Sequence, residues 1–124
     1  MSNTPTHLHY AKTDEWFDEA TGQVGISDYA QGQLSDVVYL KIDVSVGDMI
    51  EAGRAIASVE SVKAASDVLS PASGKVIATN EALTSHPEAI NSAPYDSWFI
   101  QLEGGVAVDL LDASAYERHC AERA

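Results

Sequence analysis

The sequence predicts a mainly β protein: a flattened β-barrel or sandwich with short helices at its edges and a helix closing the chain. Three observations point there. Apolar residues alternate in short runs such as HLHY, DVVYLKIDV and SWFIQLE, which is the period of a half-buried strand. Gly, Pro, Asn and Asp punctuate the chain between those runs, as turns require. Helical patterns are few and short. Roughly six to nine short strands at this spacing pack as two layers around one core.

Taken in order, HLHY and EWFD are the first strand signals, and the turn EATG returns the chain into GQVGI. Ser27 is placed to cap a short helix that starts at Asp28 and runs to about Gln33. DVVYLKIDV is rich in the β-branched and aromatic residues that favour strands. Gly47 and Gly53 bracket a short strand within VGDMIEAG. RAIASVES runs up to Lys63 and ASDVLS runs away from it, after which Pro71 and Gly74 mark a turn into KVIATN. Asn80 is placed to cap a short helix over EALTSH, interrupted by Pro87. After the strand SWFIQLE, Ser114 and Glu117 stand at capping-box spacing and predict a terminal helix over about 113–123. No linker or low-complexity tract divides the chain, so residues 1–124 are expected to form one domain.

Composition narrows the function. Nineteen acidic residues against seven Lys and Arg give a net charge of −12, the wrong sign for binding nucleic acid. No run approaches the roughly 18 apolar residues that span a membrane, and MSNTPTHLHY lacks the basic start and apolar core of a signal peptide. Cys120 is the only cysteine, which excludes an internal disulfide and favours a reducing, cytoplasmic setting. His7 and His9 on one strand face, with no third ligand nearby, make a poor metal site. No nucleophile–base pair and no phosphate-cradling glycine motif stands out.

The most informative stretch is VESVKAASDVLSPASGKV, residues 59–76. Alternation puts Ala57 and Val59 on one face of the incoming strand and Ser58 and Glu60 on the other. The hairpin, residues 59–70, reverses at Val62 and Lys63, with Ser61 opening the turn and Ala64 closing it. Ser suits the first position of a type I turn, which needs no glycine. Lys63 is thereby held out at the apex among small neighbours, while the next basic residue is Lys75. An amine so placed is accessible to a modifying enzyme and suits a tethered, swinging group.

At this hairpin the chain resembles the lipoyl-lysine segment of the glycine cleavage system H proteins. DEWF, VGISDYAQGQLSDVVYL, VGDMIEAG, NEAL, INSAPYDSWFIQL and LLDASAYE follow in the family's order over residues 8 to 118. The pattern departs at Asp14, where the family usually has His, and at Lys41–Asp43, where it has ELP. It departs again around Pro94–Trp98, one residue short, and after Glu103.

The resemblance implies a lipoyl-domain, barrel-sandwich hybrid fold and a monomeric, non-catalytic carrier. Lipoate would be joined by an amide to Lys63, with Glu60 helping the attaching enzyme, a lipoate ligase or octanoyltransferase, to recognise the hairpin. Gly74 would supply a tight turn opposite it. The arm would carry the aminomethyl group of glycine between glycine decarboxylase (P protein), aminomethyltransferase (T protein) and dihydrolipoamide dehydrogenase (L protein). Glu15, Gln33 and Asp67 correspond to polar residues of the cleft that shelters the loaded arm. Three alternatives stand beside this reading. Biotinyl domains share the hairpin, but their lysine sits between methionines, where this chain has Val62 and Ala64. Lipoyl domains of 2-oxoacid dehydrogenase acyltransferases usually place an acid directly before the lysine. An H-like lipoyl relay or donor outside glycine cleavage would look much the same.

Overall fold

The computed structural model describes residues 3–107 and 109–123. Nine strands and four short helices are found among them. Six strands form one antiparallel sheet: β1 (His9–Tyr10), β2 (Glu15–Phe17), β3 (Gln23–Ile26), β9 (Ile100–Val106), β8 (Ser73–Thr79) and β5 (Met49–Ile50), in that spatial order. The second sheet has three strands in the order β4 (Val37–Ile42), β6 (Ala55–Ser61) and β7 (Ala65–Leu69). Together they make the expected sandwich, and the described strands do not close into a barrel.

One apolar cluster joins the sheets. Phe17, Val24, Ile26, Val76, Ile100 and Leu102 come from the larger sheet, and Val37, Leu40, Ile56, Val59 and Val68 from the smaller. Strand β2 is buried on both faces, and alternation divides its residues. Phe17 faces that cluster, whereas Trp16 joins a second one with Leu8, Tyr10, Ala113 and Tyr116. Trp16 lies flat across the neighbouring strand because its partner there is Gly25. A Cβ on Gly25 would stand 2.6 Å from the indole, so this glycine answers to space.

The helices follow their local signals with two corrections. Ser27 caps α1 (Asp28–Leu34), accepting from the Ala30 amide at 3.1 Å. The side chain of Asn80 makes no capping bond to α2 (Glu81–Ser85); its amide donates to the Trp98 carbonyl at 2.9 Å instead. A third short helix, α3, covers Ala89–Ser92. The last helix, α4, covers Ala113–Arg123. It covers the residues expected, but its cap is Asp112, not Ser114, and Asp112 accepts from the Ala115 amide at 2.8 Å. Gly74 also differs from expectation. It lies inside β8, paired with Ile50, and the bend precedes it at Pro71 and Ala72. A Cβ there would meet the Glu103 carbonyl oxygen at 3.0 Å and the Gly105 Cα at 3.3 Å. Close strand packing, and no tight turn, explains this glycine.

Candidate functional site: an exposed lysine above a carboxyl-floored cleft

Strands β6 and β7 pair from Ala55↔Leu69 to Glu60↔Ala65 and leave Val62, Lys63 and Ala64 as the tip. The Ser61 hydroxyl organises that tip. It accepts from the Lys63 and Ala64 amides at 3.2 and 3.0 Å, and the Ser61 amide donates to the Ala64 carbonyl at 2.8 Å. A further bond, from the Val62 amide to the Asp36 carbonyl at 3.0 Å, ties the tip to the chain just before β4. Residues 62 to 67 are all exposed. Rigidity at the base and exposure at the tip coexist here because side-chain and backbone bonds close the turn without packing it.

Lys63 does not simply point into water. Its Nζ donates to the Gln33 carbonyl at 3.3 Å. That carbonyl lies in the last turn of α1, where helix carbonyls lack intrahelical donors and carry partial negative charge. Gln33 also lines a cleft of about 130 Å³, together with Thr13, Asp14, Glu15, Asp67 and a wall of Ile26, Ala30, Leu34, Val59 and Val68. The structure therefore brings Glu15, Gln33 and Asp67 around one cleft and bonds the lysine amine to the backbone of one of its lining residues. Glu60 is elsewhere. It is exposed on β6 opposite Tyr39 and Ala65, three residues before the lysine.

Glu15 forms the cleft floor. It is only 2 % exposed, because alternation along β2 turns it to the same face as Phe17. Its Oε1 accepts from the Thr13 hydroxyl, and its Oε2 accepts from the Leu69 amide at 3.1 Å. Burial pushes its carboxyl up to about 7, and those two donors, which favour the charged form, offset only part of the effect. Such a group holds or releases a proton near neutrality according to what enters the cleft.

Sequence reasoning missed the apolar wall and the tie from Thr13 and Leu69 to Glu15. A signal for the wall was present, since Val59 and Val68 occupy the inward positions of the two hairpin strands. The contact of Leu69 with Glu15 spans 54 residues and has no local signature.

A lysine presented on a hairpin beside a sheltered cleft, on a two-sheet scaffold, is an arrangement suited to a carrier component. The family comparison makes this specific. The profile described as Glycine cleavage H-protein matches residues 8–123, and the chain belongs to that family, known as the lipoyl carrier of the glycine cleavage system. It is 53% identical over 116 residues to the glycine cleavage system H protein of Deinococcus deserti, covering 92% of this chain and 95% of the relative. Identity to the H protein of Deinococcus radiodurans is 49% over 118 residues, covering 94% and 97%. A crystal structure of the H protein from Mycobacterium marinum superposes with a TM-score of 0.87 at 32% identity, covering 94% of this chain and 98% of that one.

Proposed function

We propose that Lys63 carries lipoate and that the chain, without catalytic groups of its own, presents the arm in turn to glycine decarboxylase, aminomethyltransferase and dihydrolipoamide dehydrogenase. The observation that supports this most is the path from Nζ to the cleft: the amine touches Gln33, and Gln33 shares a cleft with Glu15 and Asp67. When bound, the group supplies a dithiolane that accepts an aminomethyl unit as its disulfide is reduced.

The residues present fit such a group. Amide formation removes the charge of Lys63 and with it the pull of the ammonium on the Gln33 carbonyl, so the side chain leaves its resting contact. Ser61 keeps the tip in one geometry for the attaching enzyme, and Glu60 offers that enzyme a charged landmark on the same hairpin. The aliphatic walls Ile26, Ala30, Leu34, Val59 and Val68 suit a hydrocarbon arm. Glu15 and Asp67 suit an ammonium at its end, with Glu15 ionising as the positive charge approaches. Tethering holds the cargo near each partner at high effective concentration.

Reconstitution tests this. The lipoylated chain, mixed with the three cognate enzymes, is expected to support glycine-dependent release of carbon dioxide, while unmodified chain and the Lys63→Arg variant do not. Full lipoylation without turnover would favour a lipoyl relay outside glycine cleavage.

A further inference from the structure

Of the parts of the chain that line the cleft, the terminal helix touches two. One is the Thr13–Glu15 segment, which includes the floor; the other is α1, with Ala30, Gln33 and Leu34. Arg123, in the last turn of α4, donates to both oxygens of the Asp14 carboxylate, at 2.5 and 3.2 Å. The same guanidinium lies over the Tyr29 ring, 4.6 Å from its centroid, and Tyr29 belongs to α1. Tyr116, about two turns further back on α4, donates to Asp14 Oδ1 at 2.7 Å. Having spent its proton there, it accepts from the Ser27 hydroxyl 2.6 Å away, and Ser27 is the cap of α1. Stacking of Tyr116 on Tyr10, at 4.6 Å and 8°, fixes the helix on the sheet.

Asp14 itself is in the left-handed region, at φ 87. A non-glycine residue keeps that conformation only where its surroundings fix it. Here the Asp14 amide donates to Ala11, its carbonyl accepts from the Ser27 amide, both at 2.9 Å, and its carboxylate is held by α4. The next residue is Glu15, the cleft floor.

We propose that Arg123 is a positioning residue of the cleft: by gripping Asp14 and covering Tyr29, the end of α4 holds the Thr13–Glu15 segment against α1 and fixes the spacing between these two parts of the cleft lining. The bidentate fork and flat cation do two jobs that a lysine ammonium does not combine. The contact lies at the protein's margin, with the Arg123 and Asp14 side chains 33% and 18% exposed, so it acts on the cleft without holding the sandwich together. Its meaning for carriage rests on the cleft being the seat of the arm, but its test needs no arm.

The test is amide hydrogen exchange on the unmodified full-length chain and its Arg123→Ala variant. The Ser27 amide, bonded to the Asp14 carbonyl, and the Leu69 amide, bonded to Glu15, are expected to exchange roughly tenfold faster in the variant. The Val76 and Leu102 amides, bonded to Asp48 and Gly22 in the larger sheet, keep the parent's rates. Asp14→Asn added to Arg123→Ala is expected to change little further, because the two side chains act as one contact. Unchanged exchange at Ser27 and Leu69, a uniform acceleration across the sheet, or additive effects of the two substitutions would each overturn the proposal. None of those results bears on the lysine, whose role is read from the mass of the modified chain.

Discussion

Replacing Glu15 by Gln is the sharpest probe of the cleft floor. Gln keeps the shape and the hydrogen bonds, its carbonyl accepting from Leu69 and its amide meeting the Thr13 hydroxyl, but it has no proton to lose. In the folded chain the Glu15 carboxyl is raised from 4.5 to about 7. At about 1.4 kcal/mol per unit, the difference amounts to about 3 kcal/mol. Below the unfolded value both states are protonated and the group contributes nothing. Between the two values the unfolded chain gives up its proton while the folded chain retains it, so stability falls as pH rises. Above about 7 both states are ionised and the full penalty is present. Urea melts of parent and Glu15→Gln between about pH 4.5 and pH 8 read this directly. Every other titrating group is common to the pair, so the difference in unfolding free energy isolates Glu15. The variant is expected to gain about 3 kcal/mol on the parent across that range. A difference that does not move with pH would refute the claim that a dry carboxyl floors the cleft.

Two further substitutions test the scaffold. Gly25→Ala drives a methyl to 2.6 Å from the buried Trp16 ring, which is pinned by its indole bond to the Pro94 carbonyl at 3.2 Å; a loss of about 2–3 kcal/mol in a urea melt is expected. Ser61→Ala removes the acceptor for the Lys63 and Ala64 amides and should cost no more than about 1 kcal/mol. It is nonetheless expected to slow enzymatic lipoylation in a time course, and equal rates would show that the enzyme does not read the turn.

Much of this structure was legible in the sequence because its signals are local. The strand runs, the Ser27 cap and the glycines around β5 are each set by residues within a few positions of one another, and they fall close to where the sequence puts them, although β9 covers Ile100–Val106 and so begins and ends three residues later than SWFIQLE. The failures came where distant partners compete for a local group. Asn80 looks like a cap, but the Trp98 carbonyl takes its amide. Gly74 looks like a turn residue, but it is required by the proximity of Glu103 and Gly105 across the sheet. Asp112, not Ser114, caps α4, although both residue types qualify and spacing alone does not rank them. For the site, the exposed lysine follows from the hairpin itself. The depth of Glu15 does not, since a charged residue at a strand start reads as solvated until the sheet that covers it is known. Similarly, Arg123 and Asp14 are separated by 109 residues and meet only after the terminal helix docks.

Carriage by this chain depends on the Lys63 amine being the point of attachment. The most direct test of that attachment is the intact mass, with peptide mapping, of the folded chain after co-expression with a lipoate-attaching enzyme. A gain of one lipoyl group is expected, located on Lys63 and absent from the Lys63→Arg variant. A gain that persists in that variant, and so falls on Lys12, Lys41 or Lys75, or a folded chain that the enzyme leaves unmodified, would contradict it.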